Sequence, residues 1–407
     1  MQPADDFDPM SQFTGTIAGD ARDPYPALHE ARRRCPAEIV EGIAIGVEQR
    51  ATDLLNVYSF EHVSAVLRDP ATFESSLIRE HIGKVMGRYV LVGLDGEEHR
   101  VRRRLISSAF VPRSLERWES ELVRPTVHRL IDGFAHRGQA ELVRDFTFQF
   151  PVFVIAGMLG VPEADRLSFR DHALSVVSFS ADPARGMAAA TALRSYFAGL
   201  VESSRRAPGD DLIGHLVQAE LDGERLADDE IASFLLFLLP AGVETTYRAA
   251  GNLLFGLLSN PDQFAELRAR RELVHAAVEE ALRWEPPMVR IPRITACPVD
   301  MAGVAVPART EVSYFIGAAN RDETRWPEPD RFDMHREARP HLAFGQGVHF
   351  CLGIHLARME MREAVLALMD RLPDLRLSPD AEAMDAHIHG ERFRSPTSLP
   401  VIFTPMA

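Results

Sequence analysis

The chain has 407 residues, 46% of them apolar, with its 27 prolines and 26 glycines spread along the whole length, so it can bury a large core in one globular unit over residues 1–407. A net charge of −14 argues against nucleic acid as the main partner, because neutralising phosphates needs a basic surface. Three cysteines, Cys35, Cys297 and Cys351, are an odd count without a CxxC pair, which suits a reducing cytoplasm rather than a disulfide framework.

The start, MQPADDFDPMSQF, has neither basic residues nor an apolar run, so no targeting signal or membrane anchor is expected there. Residues 37–58 (AEIVEGIAIGVEQRATDLLNVY) read as short strands, after which Ser59 can cap a helix through Arg68. From Asp95 to about Arg283 most segments carry the spacing of amphipathic helices. One of them opens with Asp228, Asp229 and Glu230 and continues as IASFLLFLLPAGV, too short a run to cross a bilayer, which takes about 20 residues. Pro240 removes one main-chain hydrogen bond and should kink this helix. Gly242 then leaves room against the backbone, and Glu244 and Thr245 supply an acid and an alcohol where a bend can hold water. After Pro287, ITACPVDMAGVAVPARTEVSYF reads as β-favouring runs divided by turns at Asp300 and Gly303. RDETRWPEPDRFD is too rich in proline and charge for either regular element. The expected fold is mainly α with a small β region.

The stretch FGQGVHFCLG, Phe344 to Gly353, places one cysteine among three glycines. Gly345, Gly347 and Gly353 allow tight turns and close approach to a flat ligand. Apolar periodicity resumes at Leu352 and runs through Leu356, Met359 and Val365, so Cys351 stands just ahead of a helix whose N-terminal dipole favours a thiolate. A thiolate so presented is a good axial ligand for haem iron. Three other readings compete. The cysteine can be inert core; His341, His349, Cys351 and His355 can bind zinc, although without the usual paired spacing; or a Cys–His nucleophile can be at work, which leaves the glycines unexplained.

The loop resembles the haem-binding FGxGxHxCxG loop of the cytochrome P450 family, with Phe344, Gly347, His349, Cys351 and Gly353 in register. Ahead of it, in the family's order, come DGEEHRVRR, AGVETT, EALR and WPEPDRFD, spanning roughly Asp95 to Ala364. Pro240 departs from the family pattern, which has an apolar residue there. The resemblance implies a haem-thiolate fold binding haem b, with Cys351 as the metal ligand and Phe344, Gly353 and Gly242 beside the cofactor. It implies that His99, Arg103, Arg293 and His349 contact the haem propionates through charge-assisted hydrogen bonds. Arg290 is either a further propionate contact or a pocket residue. Glu280 and Arg283, three apart on one helix, are implied to be a buried structural pair, and Glu244 and Thr245 the proton relay.

The implied activity is that of a bacterial-type soluble monooxygenase, inserting one oxygen atom of O2 into a small hydrophobic substrate. The chain has no strand-to-helix GxGxxG, so electrons from NAD(P)H would arrive through a separate ferredoxin-type donor and its reductase. A peroxide-driven peroxygenase and a non-catalytic haem sensor are the alternatives. The substrate pocket is expected along residues 75–91, 169–179, 234–243, 288–291 and 388–393. The donor is expected to dock on a basic patch of Arg100, Arg104, Arg358 and Arg362, unless these are solvated or paired with neighbours such as Glu360 and Glu363.

Overall fold

The apolar spacing between Asp95 and Arg283 folds into a series of helices that includes Gly96–Ser107, Arg124–Asp132, Phe150–Met158, Arg166–Val177, Pro183–Arg206 and Val274–Trp284. The computed structural model describes residues 22–45, 50–179 and 182–406. The acidic start MQPADDFDPMSQF lies outside the described residues. Among those described, no helix is long and apolar enough to cross a membrane.

Asp228–Leu238 and Thr245–Leu258 are two α-helical lengths of one rod, joined by a π-helical segment, Leu239–Glu244. Pro240 cannot donate to the α ladder, and the wider turn absorbs the defect. At the start of the rod the Glu230 carboxylate accepts the Ala227 N–H at 2.8 Å and pairs with Arg102 at 2.6 Å, anchoring it to the Gly96–Ser107 helix. Leu235, Leu239, Val243, Leu253 and Leu257 have no exposed surface, each contributing about 1.5–3 kcal/mol of burial. The rod is therefore the centre of the core.

Ser59 caps Phe60–Arg68 by accepting the His62 N–H. Five strands form the main sheet in the spatial order Ala37–Ile45, Arg50–Val57, Glu311–Phe315, Arg290–Thr295 and Phe73–Glu74. Glu311–Phe315 runs parallel to Arg50–Val57, while the other neighbours are antiparallel. The turns expected at Asp300 and Gly303 close a hairpin of Val299–Met301 and Val304–Val306, with the Gly303 N–H on Asp300 Oδ1 at 2.9 Å. A second hairpin, Ile388–His389 with Ser395–Pro396, lies near the C-terminus. Residues 321–333 contain neither helix nor strand.

Candidate active site

The loop before Cys351 is held by hydrogen bonds and by the shape of its glycines. Asn320 Oδ1 accepts the Leu342 N–H at 2.7 Å, and the Cys351 N–H closes the turn on the Phe344 carbonyl at 2.9 Å. Gly345 and Gly347 have φ of +69° and +71°, where side chains are strained. A Cβ on Gly347 would lie 2.5 Å from the Leu67 carbonyl oxygen. Gly353, at φ −85°, caps the Ile354–Arg371 helix and has open space around it, so neither conformation nor crowding demands glycine there. Burial raises the Cys351 pKa, and the Gly353 N–H, Arg103 and Arg358 only partly offset it. Arg358 stacks 5.0 Å above the Phe344 ring.

Four basic side chains gather beside this loop. His99 and His349 face each other with ring centroids 4.2 Å apart. Arg103 donates to the Phe350 carbonyl at 2.5 Å, and Arg293, buried, stacks 5.7 Å above Tyr314. Burial first, then the charges of His349 and Arg103, bring the His99 pKa down to about 4. His99 Nε2 is buried without a hydrogen-bond partner. Asp95 accepts the Ser75 N–H at 2.7 Å and pairs with His349 Nε2 at 3.2 Å. Burial still wins over Asp95 and lowers the His349 pKa.

The central rod leaves one stripe open within an otherwise buried length: Phe237, Pro240, Ala241, Gly242 and Thr245 keep accessible surface. The Thr245 hydroxyl donates to the Ala241 carbonyl at 2.6 Å. A Cβ on Gly242 would meet Ile155 Cδ1 at 3.3 Å, so the missing side chain there also relieves crowding against the Phe150–Met158 helix. Glu244 does not face Thr245. It turns into the core and pairs with Arg248 at 2.9 Å. Burial raises its pKa, with Arg248 opposing. A second buried carboxyl, Glu360 on the helix behind Cys351, meets Thr246 and has its pKa pushed far up by burial.

Glu280 and Arg283 are both buried and joined at 2.7 Å. Arg283 also donates to the carbonyls of Asn320 and Pro329, and Glu280 accepts the Asp333 N–H at 2.9 Å, which ties the Val274–Trp284 helix to the irregular 321–333 segment. The basic patch expected for a donor is largely engaged. Arg100 is paired with Glu97, Arg358 with Glu279, and Arg362 with Glu119 and Glu363. Arg104 is exposed and makes no ion pair or hydrogen bond among the described residues. Nor do three His, Cys, Asp or Glu side chains gather among the described residues as a zinc site requires.

Asp95 and Arg248 escaped the sequence reading, and Glu360, expected there as a partner for the basic patch, meets Thr246 instead. Arg248 alone left a usable signal, standing four residues after Glu244.

The Cytochrome P450 family model matches residues 187–373. The chain is 36% identical over 375 residues to cytochrome P450 monooxygenase PikC of Streptomyces venezuelae, covering 89% of this chain and 87% of that one. It is 37% identical to mycinamicin IV hydroxylase/epoxidase of Micromonospora griseorubida, over 77% of this chain and 79% of that one. The crystal structure of CYP109E1 from Bacillus megaterium in complex with testosterone matches with a TM-score of 0.85 at 30% identity, covering 94% of this chain and 99% of that one. The chain belongs to the cytochrome P450 family of monooxygenases, which bind haem b.

Proposed function

We propose that Cys351 is the axial sulfur ligand of haem b and that His99, Arg103, Arg293 and His349 hold its propionates. The observation that carries this is the meeting of four basic side chains beside the cysteine turn with one carboxylate, Asp95, among them, and with His99 Nε2 buried and unpartnered. Two propionate carboxylates would supply acceptors for that set of donors. Gly345 and Gly347 shape the turn, Phe344 and Gly353 flank the sulfur, and Gly242 lies on the open stripe of the rod.

Bound haem b supplies the activation of dioxygen and the insertion of one oxygen atom into the substrate, with the other reduced to water. The chain supplies shape and protons. Thr245 Oγ lies on the open stripe, where it can accept a hydrogen bond from water while donating to Ala241. Glu244, one residue earlier, has a raised pKa, which suits a carboxyl that takes up and passes on protons. Glu280 and Arg283 act structurally, fixing the segment beneath the cysteine side.

The substrate is a small hydrophobic molecule. The open stripe is rich in Phe, Pro, Ala and Gly, and a structure similar to this one holds testosterone. Electrons come from NAD(P)H through a ferredoxin-type donor and its reductase in the cytoplasm, to a single domain spanning residues 1–407. The test is the carbon monoxide spectrum of the reduced protein, expected to show the strongly red-shifted Soret band of a thiolate-ligated haem. Absence of that band from the wild type, or its survival in Cys351→Ala, would overturn the assignment.

A further inference from the structure

The buried arginines Arg248, Arg283 and Arg394 are matched to carboxylates, whereas two more exposed arginines, Arg290 and Arg392, are not. Arg248 pairs with Glu244 at 2.9 Å, Arg283 with Glu280 at 2.7 Å and Arg394 with Glu285 at 2.8 Å. Arg290 and Arg392 are brought together without such a match. Neither guanidinium makes an ion pair or a hydrogen bond among the described residues.

The backbone fixes their meeting. Arg392 stands in the turn between Ile388–His389 and Ser395–Pro396, and its carbonyl accepts the Val289 N–H at 2.8 Å. The next residue, Phe393, bridges to Met288. The hairpin tip is thus locked against the start of the strand that Arg290 opens. In that strand Arg290 and Arg293 are three apart, so alternation puts them on opposite faces. Arg293 acts electrostatically on His99 and His349, whereas Arg290 acts on Arg392. The alternation sets Arg290 apart from Arg293 in the propionate set.

Arg392 also has an unusual combination of exposure and enclosure. Its side chain keeps accessible surface, yet the protein around it depresses its pKa, with Arg290 as the next cause. Arg248 of the central rod lies 5.4 Å over the ring of the adjacent Phe393, so the hairpin tip that carries Arg392 packs against the rod. The carboxylate that acts on it, Glu244, is already committed to Arg248. Two like charges held together by locked backbone and lacking a counter-ion are stabilised when an anion lies between them.

We propose that Arg290 and Arg392 form a carboxylate-binding clamp, and that the substrate is an apolar molecule carrying a carboxylate, held at the end away from the reacting carbon. The inference rests on the haem cleft proposed above and narrows its substrate class. Each guanidinium would donate to one carboxylate oxygen, leaving the apolar body along the Phe237–Thr245 stripe.

The test titrates the haem-loaded enzyme with dodecanoic acid and with methyl dodecanoate, following binding by calorimetry and by the Soret band. The acid is expected to bind at least tenfold more tightly than the ester. Arg290→Gln and Arg392→Gln should each reduce that preference and the double variant abolish it, with ester affinity and haem content unchanged. Equal affinity for acid and ester in the wild type would overturn the clamp, as would a preference that survives in the double variant. Loss of haem from Arg290→Gln would also overturn it, by returning that residue to the propionates. The reduced carbon monoxide spectrum, recorded on the same samples, separates the two proposals: with the thiolate band present, any of these failures counts against the clamp alone.

Discussion

Arg248 closes an ion pair with Glu244 across one turn of the central rod, 2.9 Å long, with side-chain exposures of 0% and 7%. Its value lies in what each partner would become alone. Arg248→Met should strand a buried carboxylate and cost about 3–5 kcal/mol in urea unfolding, more than the pair contributes net. Glu244→Gln combined with Arg248→Met should recover most of that loss. If the double variant were as unstable as Arg248→Met, packing of the long arginine against Phe393 and Tyr247 would be the larger effect.

Thr245 and Glu244 make separable predictions about coupling. Thr245→Ala removes the hydroxyl on the open stripe and should keep haem content while diverting electrons from product to peroxide, whereas Thr245→Ser should retain most of the coupling. Glu244→Gln should slow turnover by about 100-fold or more, the scale of a lost proton donor. Product formed per NAD(P)H consumed is the measurement, and unchanged coupling in both variants would remove the relay.

The two glycines that flank Cys351 should differ sharply. Gly347→Ala forces a Cβ to within 2.5 Å of the Leu67 carbonyl at positive φ, so a cost of at least about 1–3 kcal/mol and a loss of bound haem are expected. Gly353→Ala meets nothing within 4 Å at ordinary φ and should retain haem. Haem per chain, measured by absorbance after purification, checks both.

Glu279 links stability on the cysteine side to the charge offered to a donor. Burial alone would raise its pKa, but the approach of His341 at 3.4 Å and hydrogen bonds from Arg358 bring it to about 2. The folded value lies below the ordinary carboxylate value, so its stabilisation is present above about pH 4.5 and is lost as pH falls towards 2. Its side chain is 41% exposed, so solvent screening reduces the effect to about 1 kcal/mol. Glu279→Gln should therefore lower stability by about that much at pH 7, by less near pH 3, and by little at pH 2 and below. It should also release Arg358 and speed reduction by an acidic ferredoxin at low salt. A rate unmoved by Glu279→Gln and by ionic strength would place the donor elsewhere.

Much of the scaffold was legible because its signals are local. The Ser59 cap, the acidic first turn at Asp228 and the turn residues at Asp300 and Gly303 each act within a few positions of themselves. The cysteine loop was legible for the same reason. Asp95 was not, since its partner His349 is 254 positions away and the contact exists only after folding. Glu244 was found but its direction was not, because the π segment resets which face of the rod each residue takes.

The main sheet has a consequence for how the chain is made. Its parallel pair joins Arg50–Val57 to Glu311–Phe315 across about 250 residues of intervening chain. A ribosome exposes the first of these strands long before it has synthesised the second, so the N-terminal hairpin must wait with one edge unsatisfied. Closing so long a loop is slow as well as entropically costly, and every helix between the two strands can collapse first. A chain stopped before Glu311 would keep that edge open, with self-association during synthesis as the outcome to look for.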